Sequence, residues 1–180
     1  KIPSFVTSDS NGLSTQVKVI AGNIGDIKAP DPAPNSWAAV PGNEVAIWLI
    51  RLESGASWNL PPASAVANRS LYFYSGTSIR IAGDDFTTHQ AIELEADQTV
   101  LLENGNSESW LLLLQGKPIN EPVAQYGPFV MNTQEEIQQA MAEYRKTEFG
   151  GWPWPSHEHV HPREKSRFAK YPDGTEEVPG

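Results

Sequence analysis

Residues 116–151 read GKPINEPVAQYGPFVMNTQEEIQQAMAEYRKTEFGG, and the chain changes character twice within them. The first part is turn chemistry. Pro118, Pro122 and Pro128 each remove an amide donor and fix φ, which predicts an ordered, extended excursion over residues 117–129 rather than a strand interior. A helix follows. Thr133 with Glu136 three residues on has the spacing of a capping box, and Gln134, Glu135 and Glu136 suit a positive helix start. Ile137, Ala140, Met141 and Tyr144 recur at i, i+3, i+4 and i+7 to make one apolar face. Arg145 and Lys146 lie near the negative end, and Gly150 with Gly151 ends the run. The pattern predicts one short amphipathic helix, at about 133–149, that must dock on a surface.

Upstream of this stretch the apolar residues alternate with period two. Residues 16–21 place Val17 and Val19 inward and Lys18 outward, a first strand ended by Gly22. Residues 44–53 read as a strand buried on both faces, and residues 70–74, 78–82, 90–95, 99–103 and 109–114 follow as shorter strands. Gly55, Gly76, Gly83, Gly105 and Gly116 punctuate them, and Asp84-Asp85 reads as a turn pair. Short strands with a turn roughly every 8–12 residues predict an all-β sandwich or jelly roll rather than βαβ units. The late helix is an addition to that β core.

Three segments fall outside the alternation. Residues 1–15, rich in Ser, Thr, Asn and Gly, read as a flexible lead-in or linker remnant. Residues 29–42 carry Pro30, Pro32, Pro34 and Pro41, a stiff loop with Trp37 as its anchor. Residues 151–180 form an irregular, Pro-rich tail, yet Trp152, Trp154, Phe168 and Tyr171 are too many large apolar groups for a solvated one, so it should lie on a surface. The expected domain is residues 16–150, helix included.

Twenty-two acidic residues against 13 basic ones give a formal charge of −9. That argues against direct attraction to nucleic acid or to an anionic membrane, so any such role would run through a protein partner. With no cysteine there is no disulfide, thiolate metal site or cysteine nucleophile. The longest apolar run, residues 110–114, is far short of the roughly 20 residues that span a bilayer. No secretory pattern opens the chain, so a cytoplasmic location is expected, and the start at Lys1 rather than Met is compatible with a fragment. Asn68-Arg69-Ser70 fits a glycosylation acceptor and, without a secretion signal, reads as coincidence.

Leu113-Leu114-Gln115-Gly116-Lys117-Pro118-Ile119-Asn120-Glu121-Pro122-Val123 and then Tyr126-Gly127-Pro128-Phe129-Val130-Met131-Asn132-Thr133 closely resemble the C-terminal half of the pirin family, with similarity over residues 17–179. The resemblance implies a bicupin, two β-barrels in one polypeptide, of which this chain would be the C-terminal, jelly-roll barrel. It implies iron or another divalent metal in the N-terminal cupin only, and a quercetin 2,3-dioxygenase activity that depends on it. The partner it implies is that N-terminal cupin.

Cupins resemble one another in a motif of Gly, five residues, then His-x-His and a Glu. Histidines at i and i+2 of one strand project together into the barrel, where imidazoles and a carboxylate hold a metal. Counting from Gly55 puts Pro61 and Ala63 at the histidine positions and Ala67 or Asn68 at the glutamate position. A second motif should bring one more histidine within residues 95–111, which contain none. The expectation is a metal-free, non-catalytic domain that holds no cofactor, supports the metal-bearing barrel and contacts partners. The alternatives are a piece of a quercetin 2,3-dioxygenase whose metal lies elsewhere, or an empty barrel that binds a small planar molecule.

Few residues remain as candidates for chemistry. His89 opens a β segment and reads as a partly buried, backbone-bonded imidazole or as a ligand contact. Trp48, Trp58, Tyr72 and Tyr74 join it as candidates for lining a barrel pocket, although alternation must turn half of such residues outward. In the tail, His157, Glu158, His159 and His161 form an H-E-H-V-H run. If extended, its histidines share one face at about 6–7 Å intervals, a weak candidate metal site against a solvated-tail reading.

Overall fold

The computed structural model describes residues 2–154, 156–157 and 161–179. The chain forms two compact units, Lys1–Ile119 and Asn120–Gly180. The helix expected at about 133–149 lies in the second unit together with the tail.

The first unit begins with β1 (Ser4–Ser8), β2 (Ser14–Ala21), and a small hairpin of β3 (Asn23–Ile24) and β4 (Ile27–Lys28). Then come β5 (Ala46–Leu52), β6 (Ser57–Leu60), β7 (Asn68–Ser75), β8 (Ile79–Ile81), β9 (Asp84–Phe86), β10 (Gln90–Glu93), β11 (Val100–Asn104) and β12 (Ser109–Gly116). One antiparallel sheet runs β1-β2-β5-β12-β7-β10 and the other β6-β11-β8-β9. Successive strands cross repeatedly from one sheet to the other, which is jelly-roll connectivity. Between the sheets lie Val17, Ile50, Leu52, Leu60, Leu71, Leu102, Leu111 and Leu113, all at 0 % exposure. Burying each such side chain contributes about 1.5–3 kcal/mol.

Alternation governs the long strands. β5 is buried at Ala46, Trp48, Ile50 and Leu52 and half-buried between them, so its segment has one inner face and not two. β7 buries Arg69, Leu71 and Phe73 and turns Tyr72 and Tyr74 outward. Gly22, at φ +76, ends β2 where a Cβ would stand 2.6 Å from the Val45 carbonyl oxygen, so the chain can pass β5 only as glycine.

Two short-strand expectations are corrected. Residues 1–15 are not a loose lead-in, because Ser4–Ser8 pairs with β2 from Ser4↔Lys18 to Ser8↔Ser14. Their polar composition suits a half-exposed edge strand, and the Asp9 carboxylate closes the hairpin by accepting from the Asn11 and Leu13 amides. Asp84-Asp85 is not the turn. Ala82 and Gly83, at φ +52 and +94, make a two-residue hairpin, and the Asp85 carboxylate accepts from Arg80 Nε and Nη2 across β8 and β9.

In the second unit, β13 (Ala124–Tyr126) and β14 (Phe129–Met131) pair through the two-residue turn Gly127-Pro128. What reads as a proline-rich excursion is therefore a hairpin, because Pro128 sits in the turn where no ladder donor is required. Helix α1 (Gln134–Thr147) packs on that hairpin. Its capping box is formed: the Glu136 amide donates to Thr133 Oγ1 at 3.2 Å and the Thr133 amide to Glu136 Oε2 at 2.9 Å. Ile137 and Ala140 are buried, while Tyr144 meets Phe129 and Phe149 edge-on. The helix ends before its glycines, at left-handed Glu148, where Thr147 Oγ1 donates back to the Glu143 carbonyl and accepts from the Phe149 amide.

The tail is partly regular, with β15 (Ala169–Lys170) paired to β16 (Glu176–Glu177). Within it Trp152 stacks on His157, and Lys165 Nζ stands 3.9 Å from the centre of the Phe168 ring. No helix among the described residues is long and apolar enough to cross a membrane.

Candidate functional site

A cavity of about 810 Å³ opens in the first unit. The inner face of the large sheet forms one side through Ala46, Trp48, Arg69 and Gln115, and the proline-rich loop crosses it with Ala29, Pro30, Pro32 and Pro41. Two short 3-10 turns, Trp37–Ala39 and Pro41–Asn43, stiffen that loop. The expected anchor is in place: Trp37 Nε1 donates to the Lys117 carbonyl at 3.0 Å, and the Lys117 amide donates to the Asn43 carbonyl at 2.8 Å.

Pro61, Pro62 and Ala63 follow β6 and line the same cavity. The residues at the two histidine positions of the cupin motif thus face the barrel space where the motif would hold a metal. Neither side chain offers a donor atom. Of the other lining groups, the Glu44 carboxylate is already committed. It accepts from the Ser64 amide at 2.9 Å and pairs with Lys117 Nζ at 3.0 Å, and these two contacts, the amide first, hold it below the usual carboxylate range. Among the described residues no three His, Cys, Asp or Glu side chains are grouped closely enough to hold a metal. The cavity's donor set does not fit the metal centre of a cupin.

What the cavity holds instead is a cation. Arg69 is 2 % exposed, and its Nε and Nη1 have no hydrogen-bond partner among the described residues. Burial alone pushes its guanidinium pKa down, with no carboxylate opposing. Gln115 stands directly opposite Arg69 in the β7–β12 ladder and Ala46 beyond it in β5, one row across three strands. Gln115 Nε2 donates to the Glu44 carbonyl at 3.1 Å, but its Oε1 is buried and unpaired, as is Trp48 Nε1.

Of the five pocket candidates, only Trp48 lines this space. Tyr72 and Tyr74 lie on the outer face, at 36 % and 44 % exposure, because Leu71 and Phe73 take the inward parity of β7. Trp58 borders a separate small cavity beside Asp9 and Leu101. His89 is exposed rather than partly buried; its Nε2 lies 3.2 Å from the Gly76 carbonyl and its ring meets Phe73 edge-on. In the tail run, His157 stacks on Trp152 and His161 Nε2 lies 3.3 Å from the Ser166 carbonyl, while His159 and Glu158 are outside the described residues.

The model of the pirin C-terminal cupin domain matches residues 47–150, more than half of the chain. The chain belongs to the pirin family. A Vibrio cholerae protein that carries the provisional name quercetin 2,3-dioxygenase is 35 % identical over 134 residues, which is 74 % of this chain and 45 % of that protein. Pirin of Rattus norvegicus is 36 % identical over 106 residues, 56 % of this chain and 36 % of the rat protein. The crystal structure of an Acinetobacter baumannii quercetin 2,3-dioxygenase superposes with a TM-score of 0.65 at 26 % identity, covering 83 % of this chain and 48 % of that one. The pirin-type chain thus spans about half the length of the curated relatives it matches. Its mostly β, cupin-type fold agrees with the sandwich expected from the strand pattern.

Proposed function

We propose that this chain acts as a non-catalytic C-terminal cupin, a structural support and protein-interaction module for a metal-bearing N-terminal cupin in the same polypeptide. The observation that carries the reading is the chemistry of the barrel cavity. Pro61 and Ala63 face it where the motif calls for imidazoles, and the charged groups that line it are an unpaired guanidinium, a carboxylate already paired with Lys117, and the Lys28–Asp31 ion pair. Iron or another divalent metal belongs, in this reading, to the other barrel, and the working location is the cytoplasm. Elemental analysis of the purified chain tests it. Sub-stoichiometric iron, nickel and zinc after dialysis are expected, and near-stoichiometric metal that survives deletion of residues 151–180 would overturn it.

The names of the Vibrio and Acinetobacter relatives favour a second reading for the longer protein, a quercetin 2,3-dioxygenase whose metal site lies outside this chain. The chain supplied with ferrous iron should leave quercetin unchanged, whereas a polypeptide with an upstream cupin should consume it. Turnover by the chain alone refutes both readings.

A further inference from the structure

A buried arginine with nothing to bind is an incomplete site. Its guanidinium stays protonated under any physiological condition, so burial cannot be relieved by losing the charge, as a lysine or histidine would do. Isolated charges in protein interiors are matched by an anion or by hydrogen-bonding partners. Arg69 has neither among the described residues, and it lines an open cavity rather than a closed core.

The surrounding charges define what would complete it. Lys28, at the same cavity, pairs with Asp31 at 2.7 Å, and Glu44 pairs with Lys117. One positive charge is left over. A monoanion balances it, whereas a phosphate dianion would carry a second charge with no partner. Trp48 Nε1 adds an unpaired donor and Gln115 Oε1 an unpaired acceptor on the same inner face. Ile24, Ala29, Pro41 and Pro61 make the remaining walls largely apolar. A planar carboxylate matches the arginine fork, and an apolar body matches the walls.

We propose that the barrel cavity is a binding site for a small organic monocarboxylate, held at its carboxylate by Arg69 with Trp48 Nε1 as a further donor, and read at Gln115 Oε1 by any hydroxyl or N–H group on the ligand. The site lies wholly within the first unit and needs no second barrel, so it stands or falls independently of the metal-bearing partner.

The test uses the full chain with phenylacetate and 4-methylpentanoate as probes, their amides as neutral isosteres, and inorganic phosphate as a competing anion. Titration calorimetry should show at least one acid binding tenfold or more tightly than its amide and than phosphate, and the same acid should raise the thermal midpoint of the wild-type protein. Arg69→Met should weaken that acid at least tenfold, and Trp48→Phe by a smaller factor. Because Arg69→Met removes an unpaired buried charge, its thermal midpoint without ligand should equal or exceed that of wild type. Equal affinity for acid and amide, phosphate binding as tight as either acid, or no midpoint shift with any probe would overturn the proposal. So would a large fall in the midpoint on Arg69→Met, which would mark the arginine as a structural group satisfied by internal water.

Discussion

Asn104 closes β11, and its side chain takes part in four hydrogen bonds that join separate parts of the barrel. Nδ2 lies 2.7 Å from the Ser107 carbonyl, 2.8 Å from that of Glu53 and 3.2 Å from that of Leu52, and Oδ1 accepts from the Gly105 amide at 3.0 Å. Asn104 is buried, so one amide group ties the end of β5 to the turn that leads into β12. An amide nitrogen has two hydrogens, so the three carbonyls share two donor bonds, and Oδ1 supplies a third bond. At about 1 kcal/mol net for each bond, Asn104→Ala should cost about 3 kcal/mol, with the stranded carbonyls of Leu52 and Glu53 making the larger part. For a chain of this size that corresponds to a fall of roughly 6–12 °C in the thermal midpoint.

Asn104→Asp separates hydrogen bonding from side-chain size. At neutral pH it turns a carboxylate toward three carbonyl oxygens, so it should be at least as destabilising as alanine. The hostile site raises the folded pKa of the new acid above its unfolded value. Its protonated form supplies stability that is present at low pH and lost as pH rises, so the deficit relative to wild type should narrow on acidification. Urea unfolding followed by tryptophan fluorescence at pH 7 and pH 4 reads both effects. A loss below about 1 kcal/mol for alanine, or an aspartate variant as stable as wild type at pH 7, would refute this role.

Two other predictions rest on single contacts. Thr133→Ala should destabilise α1 by about 1 kcal/mol, seen as earlier loss of helical circular dichroism on heating, while Thr133→Ser, which keeps the Glu136 amide bond, should stay near wild type. The lowered Glu44 carboxylate contributes stability that is present above the ordinary carboxylate range and lost as pH falls through its folded value. The stability gap between wild type and Glu44→Gln should therefore close between about pH 5 and pH 3, and a gap independent of pH would show that the Ser64 and Lys117 contacts do not hold the charge.

How much of the barrel could be read in the sequence followed from burial. Where one face is apolar, as at Val17 and Val19 or Leu111 and Leu113, alternation alone places the strand. Where both faces are half wet, as at Ser4–Ser8 or Asp84–Phe86, composition mimics a loop, and only pairing with β2 or β8 reveals the strand. The capping box is a local signal and was legible to the residue. The helix end was not, because left-handed Glu148 pre-empts the glycines that mark stops most often. The inward turn of Trp48 was legible in the alternation of β5. Tyr72 and Tyr74 are pocket-lining residues by type only, against the parity that Leu71 and Phe73 impose.

Arg69 stands in Asn68-Arg69-Ser70, a pattern that draws attention to the asparagine. Its signal was nonetheless present: it is two residues before Leu71 and four before Phe73, hence on the apolar face of one strand. What no single stretch could supply is the row across β5, β12 and β7, with Gln115 opposite the arginine and no carboxylate within reach. That row changes what the cavity can accept. A divalent ion about 7 Å from a fixed guanidinium is repelled by roughly 5 kcal/mol at an effective dielectric constant of about 20, more than three decades in affinity. Under the proposed carboxylate reading, a barrel cavity that offers an unpaired arginine and no imidazole favours anions over cations. On that reading cations would be opposed in the same space where a carboxylate would be drawn in.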